Sequence, residues 1–232
     1  MNKPEVARDG PRITSATKST PVPVPDPSAS STRVSRLDLL ERVIVLACYA
    51  YFFWNWITDF VAYPTWPRGL VIVSECVTLL VLLIRKPAHT FSGSVVDWLL
   101  ALGATTTPAL LAPGKRPIDP EWVGLTLLAT GLCCQILCKL VLGRSFGLIA
   151  ANRGVKQAGP YRLVRHPMYA SYLITHFGVF WLNPTPRNVV VYLLCWGLQI
   201  PRILAEESHL SQDPGYVEYQ KVVRYRLIPF VF

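Results

Sequence analysis

The chain has 232 residues, of which 51% are hydrophobic and only 16% charged, with seven Trp, ten Tyr and a formal net charge of +9. Soluble domains carry about 25% charged residues, so most of this chain is not built for water; an ordinary soluble enzyme, a disordered protein, a collagen and a coiled coil are excluded. The positive charge reads as basic loops facing an anionic membrane surface rather than as a nucleic-acid footprint.

Residues 1–35 form a Pro/Ser-rich segment around Pro21-Val22-Pro23-Val24-Pro25-Asp26-Pro27. With no hydrophobic period it is expected to stay a disordered, partly polyproline-like tail, and it lacks the apolar core of a secretory signal. A PxxP-type partner role is the alternative for it. Apolar spans follow at 39–61, 70–84, 95–111, 122–142, 168–182 and 188–204. A crossing helix needs about 20 residues, which the first and fourth supply alone. The second, third and fifth are short and lean on Trp66, Trp98 or Trp181 at the interfaces. The expectation is an all-α, multi-pass protein of about six spans, divided into the tail, an N-terminal helical part at 36–142, and a region at 143–232 that holds two further spans.

Basic residues support that count. With a cytosolic amino terminus, Arg85, Lys86, Arg144, Arg153, Lys156, Arg162, Arg165, Lys221, Arg224 and Arg226 fall inside, together with the basic tail, while the outer loops hold Arg68, Lys115, Arg116 and Arg187. This is the asymmetry of the positive-inside rule, and it puts both termini in the cytosol; which membrane is not legible. The six cysteines all lie in apolar runs. Cys134 and Cys138 share a helix face, but the set lacks metal-ligand spacing and reads as small packing residues, with no metal and no disulfide framework implied.

Asn55, Asp59, Glu75, Asp97, Gln135 and Lys139 lie in or near spans, where polar groups are costly. Asp59, Asp97 and Lys139 sit near span ends and are expected to snorkel; Glu75 is deeper. Between the fourth and fifth spans runs a long basic loop at 143–167, of a length that is usually functional. It ends in Gly159-Pro160-Tyr161-Arg162-Leu163-Val164-Arg165-His166-Pro167-Met168-Tyr169. Gly-Pro makes a turn and His-Pro opens a helix. That leaves His166 where backbone N–H groups favour negative charge, with Tyr169 on the same face. Headgroup anchoring by Arg165 and His166 is the other reading.

At the end of the last span stands Arg202-Ile203-Leu204-Ala205-Glu206-Glu207. An i,i+4 ion pair accounts for Glu206 and leaves Glu207 over. The helix is expected to continue past Leu204, turn at Asp213-Pro214-Gly215, and resume as a short amphipathic helix.

Gly159–Tyr169, Asn183-Pro184, Arg202-x-x-x-Glu206-Glu207, Tyr216-x-x-Tyr219 and Ile228-Pro229 together resemble the isoprenylcysteine carboxyl methyltransferase family and its phospholipid methyltransferase relatives. The likeness spans 143–232. It implies an integral-membrane enzyme using S-adenosyl-L-methionine in a cytosolic pocket formed by the C-terminal half. The cofactor set it implies is Arg153, Val155, Lys156, Tyr161, His166, Pro167, Met168, Tyr169 and Glu206; Arg202 faces the acceptor, and Glu207 or His166 would assist an amine. The family usually has His where this chain has Arg153, and Gly where it has Ser171. The implied acceptor is lipophilic, a prenylated cysteine carboxylate first and a phospholipid amine second, among membrane lipids and without nucleic acid. A sterol-reductase-like enzyme using NADPH shares a similar Arg-His-Pro-x-Tyr motif and is the more distant alternative.

Overall fold

The structure is a computed structural model that describes residues 27–232 apart from 89, 93, 113 and 115. Residues 1–26 and Lys115, on which the tail and one outer-loop charge rest, lie outside the described residues. The chain is helical from Pro27, so the last part of the stretch expected to be unstructured belongs to the first helix. That helix, α1, runs Pro27–Ala62, followed by α2 (Trp66–Ile84), α3 (Val95–Thr106) and α4 (Glu121–Leu142). The second half contains α5 (Pro167–Leu182), α6 (Pro186–Leu210) and α7 (Pro214–Val222). The all-α expectation needs one amendment. Strands β1 (Thr90–Phe91) and β2 (Ala151–Asn152) pair antiparallel, stitching the α2–α3 connection to the long loop before α5.

Each expected apolar span is helical, but length separates them. Trp66–Ile84, Glu121–Ser145 and Pro186–Leu210 are long and apolar enough to cross a membrane. Helix α3 has 12 residues, about 18 Å at 1.5 Å per residue, and α5 has 16. Side chains such as Trp54, Val61, Leu99, Trp122 and Leu193 are exposed, an apolar surface suited to lipid.

The ends of the helices follow local chemistry. Ser94 caps α3 by accepting from the Asp97 N–H at 3.4 Å, Thr185 caps α6 from Asn188 N–H at 3.1 Å, and Asp213 caps α7 from Gly215 N–H at 2.7 Å. Pro67, Pro167, Pro186 and Pro214 sit in first turns, where a missing N–H costs nothing.

Helices α4 and α5 pack most closely, because glycines let the backbones touch. A Cβ on Gly131 would lie 2.6 Å from the Thr175 nitrogen, and one on Gly178 2.5 Å from the Leu128 nitrogen. Along the same seam Gln135 donates to Thr175 Oγ1 at 2.7 Å. Around this pair α1 packs on α2, α2 on α4, and α3 on α6. Lys139 does not snorkel. It is buried, donates to Ser74 Oγ at 2.8 Å, and lies 4.0 Å from Glu75. Asp59 pairs with Arg68 at 2.6 Å, and Asp97 accepts from the Ser92 hydroxyl.

Candidate active site

The motif at the start of α5 is tied down along its length. Gly159, with φ of +56°, turns the chain into a short 3-10 segment, Gly159–Arg162, that points Tyr161 inward. The Tyr219 hydroxyl on α7 donates to the Tyr161 carbonyl at 2.6 Å. The Arg165 and His166 N–H groups donate to the Tyr225 and Arg226 carbonyls at 2.9 and 2.8 Å. Helix α5 therefore starts from a platform built by the C-terminal segment.

A cavity of about 110 Å³ lies above this platform. Residues 145–149 and 153–156 form one wall, and Tyr161, His166, Met168, Tyr169, Tyr172, Glu206, Tyr216 and Tyr219 form much of the rest. Of the expected set, Arg153, Val155, Lys156, Tyr161, His166, Met168, Tyr169, Arg202 and Glu206 line it; Pro167 is buried in the first turn of α5 and does not. Tyr169 Oη donates to Glu206 Oε2 at 2.8 Å, with the His166 ring edge-on to Tyr169 at 5.6 Å between centroids. Residues far apart in sequence thus share one wall. Burial pushes the phenols of Tyr161 and Tyr219 up, the latter to about 12, so both stay neutral. The Tyr216 hydroxyl is buried without a hydrogen-bond partner among the described residues.

Arg202 stands at a junction. It lines this cavity and also a larger one of about 280 Å³ among the helices, whose walls include Tyr49, Phe52, Trp56, Leu128, Leu132, Val179 and Tyr192; Tyr172 is shared as well. Its Nη2 donates to the Leu148 carbonyl at 2.7 Å, its Nη1 reaches Gln199 Oε1 and Thr105 Oγ1 at 3.4 Å, and its guanidinium lies 5.4 Å from the Tyr169 ring centre. No ion pair joins it to Glu206 among the described residues, so the i,i+4 pairing reading does not describe this helix face.

Glu207 faces elsewhere. One position along an α-helix is a rotation of about 100°, and that carries its carboxylate away from the cavity. It meets Arg165 Nε at 2.6 Å, Arg226 Nε at 2.6 Å and His166 Nε2 at 3.2 Å. Glu207, which the resemblance would have assist an amine acceptor, does not line the cavity; it is the centre of a cluster beneath the site and takes up the Nε2 edge of His166. The unusual Arg153 also has an explanation. Its Nη2 lies 2.7 Å from Asp38 and 3.0 Å from Glu41, so the guanidinium is engaged by α1. The unusual Ser171 donates to the Met168 carbonyl at 2.6 Å and is satisfied within its own turn.

Comparison with known proteins decides the family. A family model described as phospholipid methyltransferase matches residues 121–213. Protein-S-isoprenylcysteine O-methyltransferase A of Arabidopsis thaliana is 33% identical over 144 residues, covering 57% of this chain and 72% of the relative. The chain belongs to the isoprenylcysteine carboxyl methyltransferase family. A probable protein-S-isoprenylcysteine O-methyltransferase of Oryza sativa subsp. indica is 34% identical over 134 residues, 54% of this chain and 70% of its own. A solved eukaryotic intramembrane Ras methyltransferase aligns over 88% of this chain and 94% of that one, at 18% identity and a TM-score of 0.42. The stretch matched by the family model holds Arg153, the Arg165–Tyr169 motif and Arg202–Glu207, and ends before Tyr216.

Some lining and supporting residues carried no sequence assignment. Phe146-Gly147-Leu148-Ile149 is an apolar run inside an otherwise basic loop, a signal that it folds inward. Asp38 and Glu41 are three apart at the start of an apolar span, which puts both on one helix face and marks them as costly unless paired. Tyr172 lies three residues beyond Tyr169, one turn along the same face.

Proposed function

We propose that this protein transfers the methyl group of S-adenosyl-L-methionine to the carboxylate of an isoprenylcysteine-like acceptor that enters from the bilayer. The observation that carries the reading is the position of Arg202, between a cavity of mixed polar and apolar walls beside the Tyr169–Glu206 pair and a larger, mainly apolar cavity among the helices, whose polar lining includes Glu75, Gln135 and Lys139. The donor set fits the cofactor. Glu206 offers an anion to an ammonium group, Tyr216 has a buried hydroxyl without a partner among the described residues, Lys156 is exposed beside the cavity, and Phe146, Leu148, Ile149 and Met168 offer apolar walls to a base.

When bound, S-adenosyl-L-methionine supplies an electrophilic methyl group. The protein's part is positioning and exclusion of water. Arg202 holds the acceptor carboxylate, because a planar guanidinium grips two oxygens at once. A carboxylate is already the nucleophile at neutral pH, so this reaction needs no general base. Tyr169 orients Glu206, and Glu207 holds Arg165 and His166 in place beneath the site. Six crossings with both termini on the cofactor side are supported by the basic-residue asymmetry; α3 would cross only together with the 3-10 turn Thr107–Leu110 that continues it. Cysteines introduced at the exposed Arg162 and Trp122 should label from opposite sides of sealed vesicles, and labelling from one side would refute this topology.

The test uses the purified protein in lipid with methyl-labelled S-adenosyl-L-methionine and two acceptors, a farnesylated cysteine with a free carboxylate and phosphatidylethanolamine. Label should enter the first as a base-labile methyl ester. Label confined to phosphatidylethanolamine, or label in neither, would overturn the proposal.

A further inference from the structure

Glu41 lies on α1, outside the stretch matched by the family model, and its side chain is fully buried. Its Oε1 accepts from two successive backbone N–H groups, Leu148 at 3.0 Å and Ile149 at 3.2 Å. Its Oε2 pairs with Arg85 at 2.7 Å and Arg153 at 3.0 Å, and Asp38 meets the same two guanidiniums at 3.3 and 2.7 Å. Two carboxylates and two guanidiniums make the group neutral overall, which is the condition for burying it.

Neutrality does not account for the whole arrangement, because well-packed apolar residues would fill the same space at no greater cost. What a carboxylate adds is an oxygen aimed at the loop. Leu148 is the link: its N–H is held by Glu41, and its carbonyl accepts the shortest hydrogen bond made by Arg202, at 2.7 Å against 3.4 Å for Gln199 and Thr105. A single residue of backbone separates the α1 carboxylate from the guanidinium at the junction of the two cavities.

We infer that Glu41 is a positioning residue for Arg202, acting through the Leu148 peptide. The inference rests on the methyl-transfer reading for its kinetic consequence and on the hydrogen bonds alone for its structural one. A displacement of about 1 Å at a reacting geometry costs on the order of a hundredfold in rate, so a shift of Leu148 should reach turnover even though Glu41 touches neither cavity.

Two variants separate positioning from charge balance. Glu41→Gln keeps the reach to the loop N–H groups and removes the charge, whereas Glu41→Asp keeps the charge and withdraws the oxygen by one methylene. Positioning expects Glu41→Asp to lose about tenfold or more in turnover and Glu41→Gln to lose less. Combined with Arg202→Lys, Glu41→Asp should add little further loss, since both changes break one chain of contacts. Charge balance expects the reverse order and additive losses. Should Glu41→Gln fail to fold, the Glu41→Asp and Arg202→Lys cycle still decides. Hydrogen exchange of the Leu148 and Ile149 amides is read in parallel and needs no substrate; they should be protected in the wild type and exchange faster in Glu41→Asp. Unchanged protection, the reverse order or additivity would overturn the inference. An inactive wild type with intact, Glu41-dependent protection would instead count against the methyl-transfer reading.

Discussion

Two charge clusters, buried except for Arg226 at the edge of the second, flank the candidate cofactor cavity, and they are built on opposite principles. Below α1, Asp38, Glu41, Arg85 and Arg153 balance two anions against two cations, with side-chain exposures of 14%, 0%, 1% and 1%. Beneath α5, one carboxylate, Glu207, serves Arg165, Arg226 and His166, and the surplus donors go to backbone: Arg165 Nη1 donates to the Val223 and Arg224 carbonyls at 3.0 and 2.8 Å. The first cluster ties the loop wall of the cavity to the N-terminal helices, and the second ties the opposite wall to the C-terminal segment. The difference teaches where redundancy lies. Each cation in the first cluster has two carboxylates, while each in the second depends on one.

The largest expected effect follows from that asymmetry. Glu207→Gln leaves a buried Arg165 without a counter-charge, and breaking a buried pair from one side costs about 3–5 kcal/mol. Asp38→Asn leaves Glu41 in place and should cost less, about 1–2 kcal/mol. Thermal unfolding of both variants in the same detergent checks the order. Equal losses would mean that redundancy in the first cluster gives no protection.

The clusters also differ in how far they could be read from the chain. Helices α2, α4 and α6 were legible because hydropathy is a local property. The Arg165–Tyr169 and Arg202–Glu207 motifs were legible because each packs its chemistry into a few residues. The partner of Glu41 was not: Arg153 lies 112 residues away, and nothing near either position names the other. The split between Glu206 and Glu207 was also hidden, since adjacent residues on a helix differ only by a rotation that packing resolves. The α4–α5 seam needed Gly131 and Gly178 placed against specific backbone atoms, which spacing alone does not supply. The short strand pairing of 90–91 with 151–152 carried too few residues for a period to register.

A smaller effect distinguishes the two neighbouring carboxylates. Glu206 accepts from Tyr169 and faces the cavity, whereas Glu207 faces the cluster. Glu206→Gln should leave stability within about 0.5 kcal/mol and weaken binding of S-adenosylhomocysteine by about 1.5–3 kcal/mol, the value of a hydrogen bond to a charged group. Calorimetry on Glu206→Gln beside Glu207→Gln should therefore show affinity lost in one and stability lost in the other. Unchanged affinity in Glu206→Gln would remove Glu206 from the cofactor site.

The smallest effect concerns two tyrosines on α7 whose rings lie 5.7 Å apart, tilted at 60°, and are both 3% exposed, yet treat their hydroxyls differently. Tyr219 donates to the Tyr161 carbonyl at 2.6 Å, while the Tyr216 hydroxyl is buried with no partner among the described residues. A buried polar group without a partner is a cost to folding unless something else satisfies it. Because Tyr216 lines the cavity, the group expected to do so is the bound cofactor. Tyr219→Phe should then lose about 1 kcal/mol of stability by orphaning the Tyr161 carbonyl. Tyr216→Phe should leave the free protein as stable as the wild type, or slightly more so, and weaken S-adenosylhomocysteine binding by about 1 kcal/mol, about fivefold. The measurement is a melting temperature with and without ligand for each variant: Tyr219→Phe should lower both, and Tyr216→Phe should reduce only the ligand-induced rise. A ligand-induced rise in Tyr216→Phe equal to that of the wild type would leave Tyr216 as a packing residue, and would assign the cofactor's polar contacts to Glu206 and the loop wall.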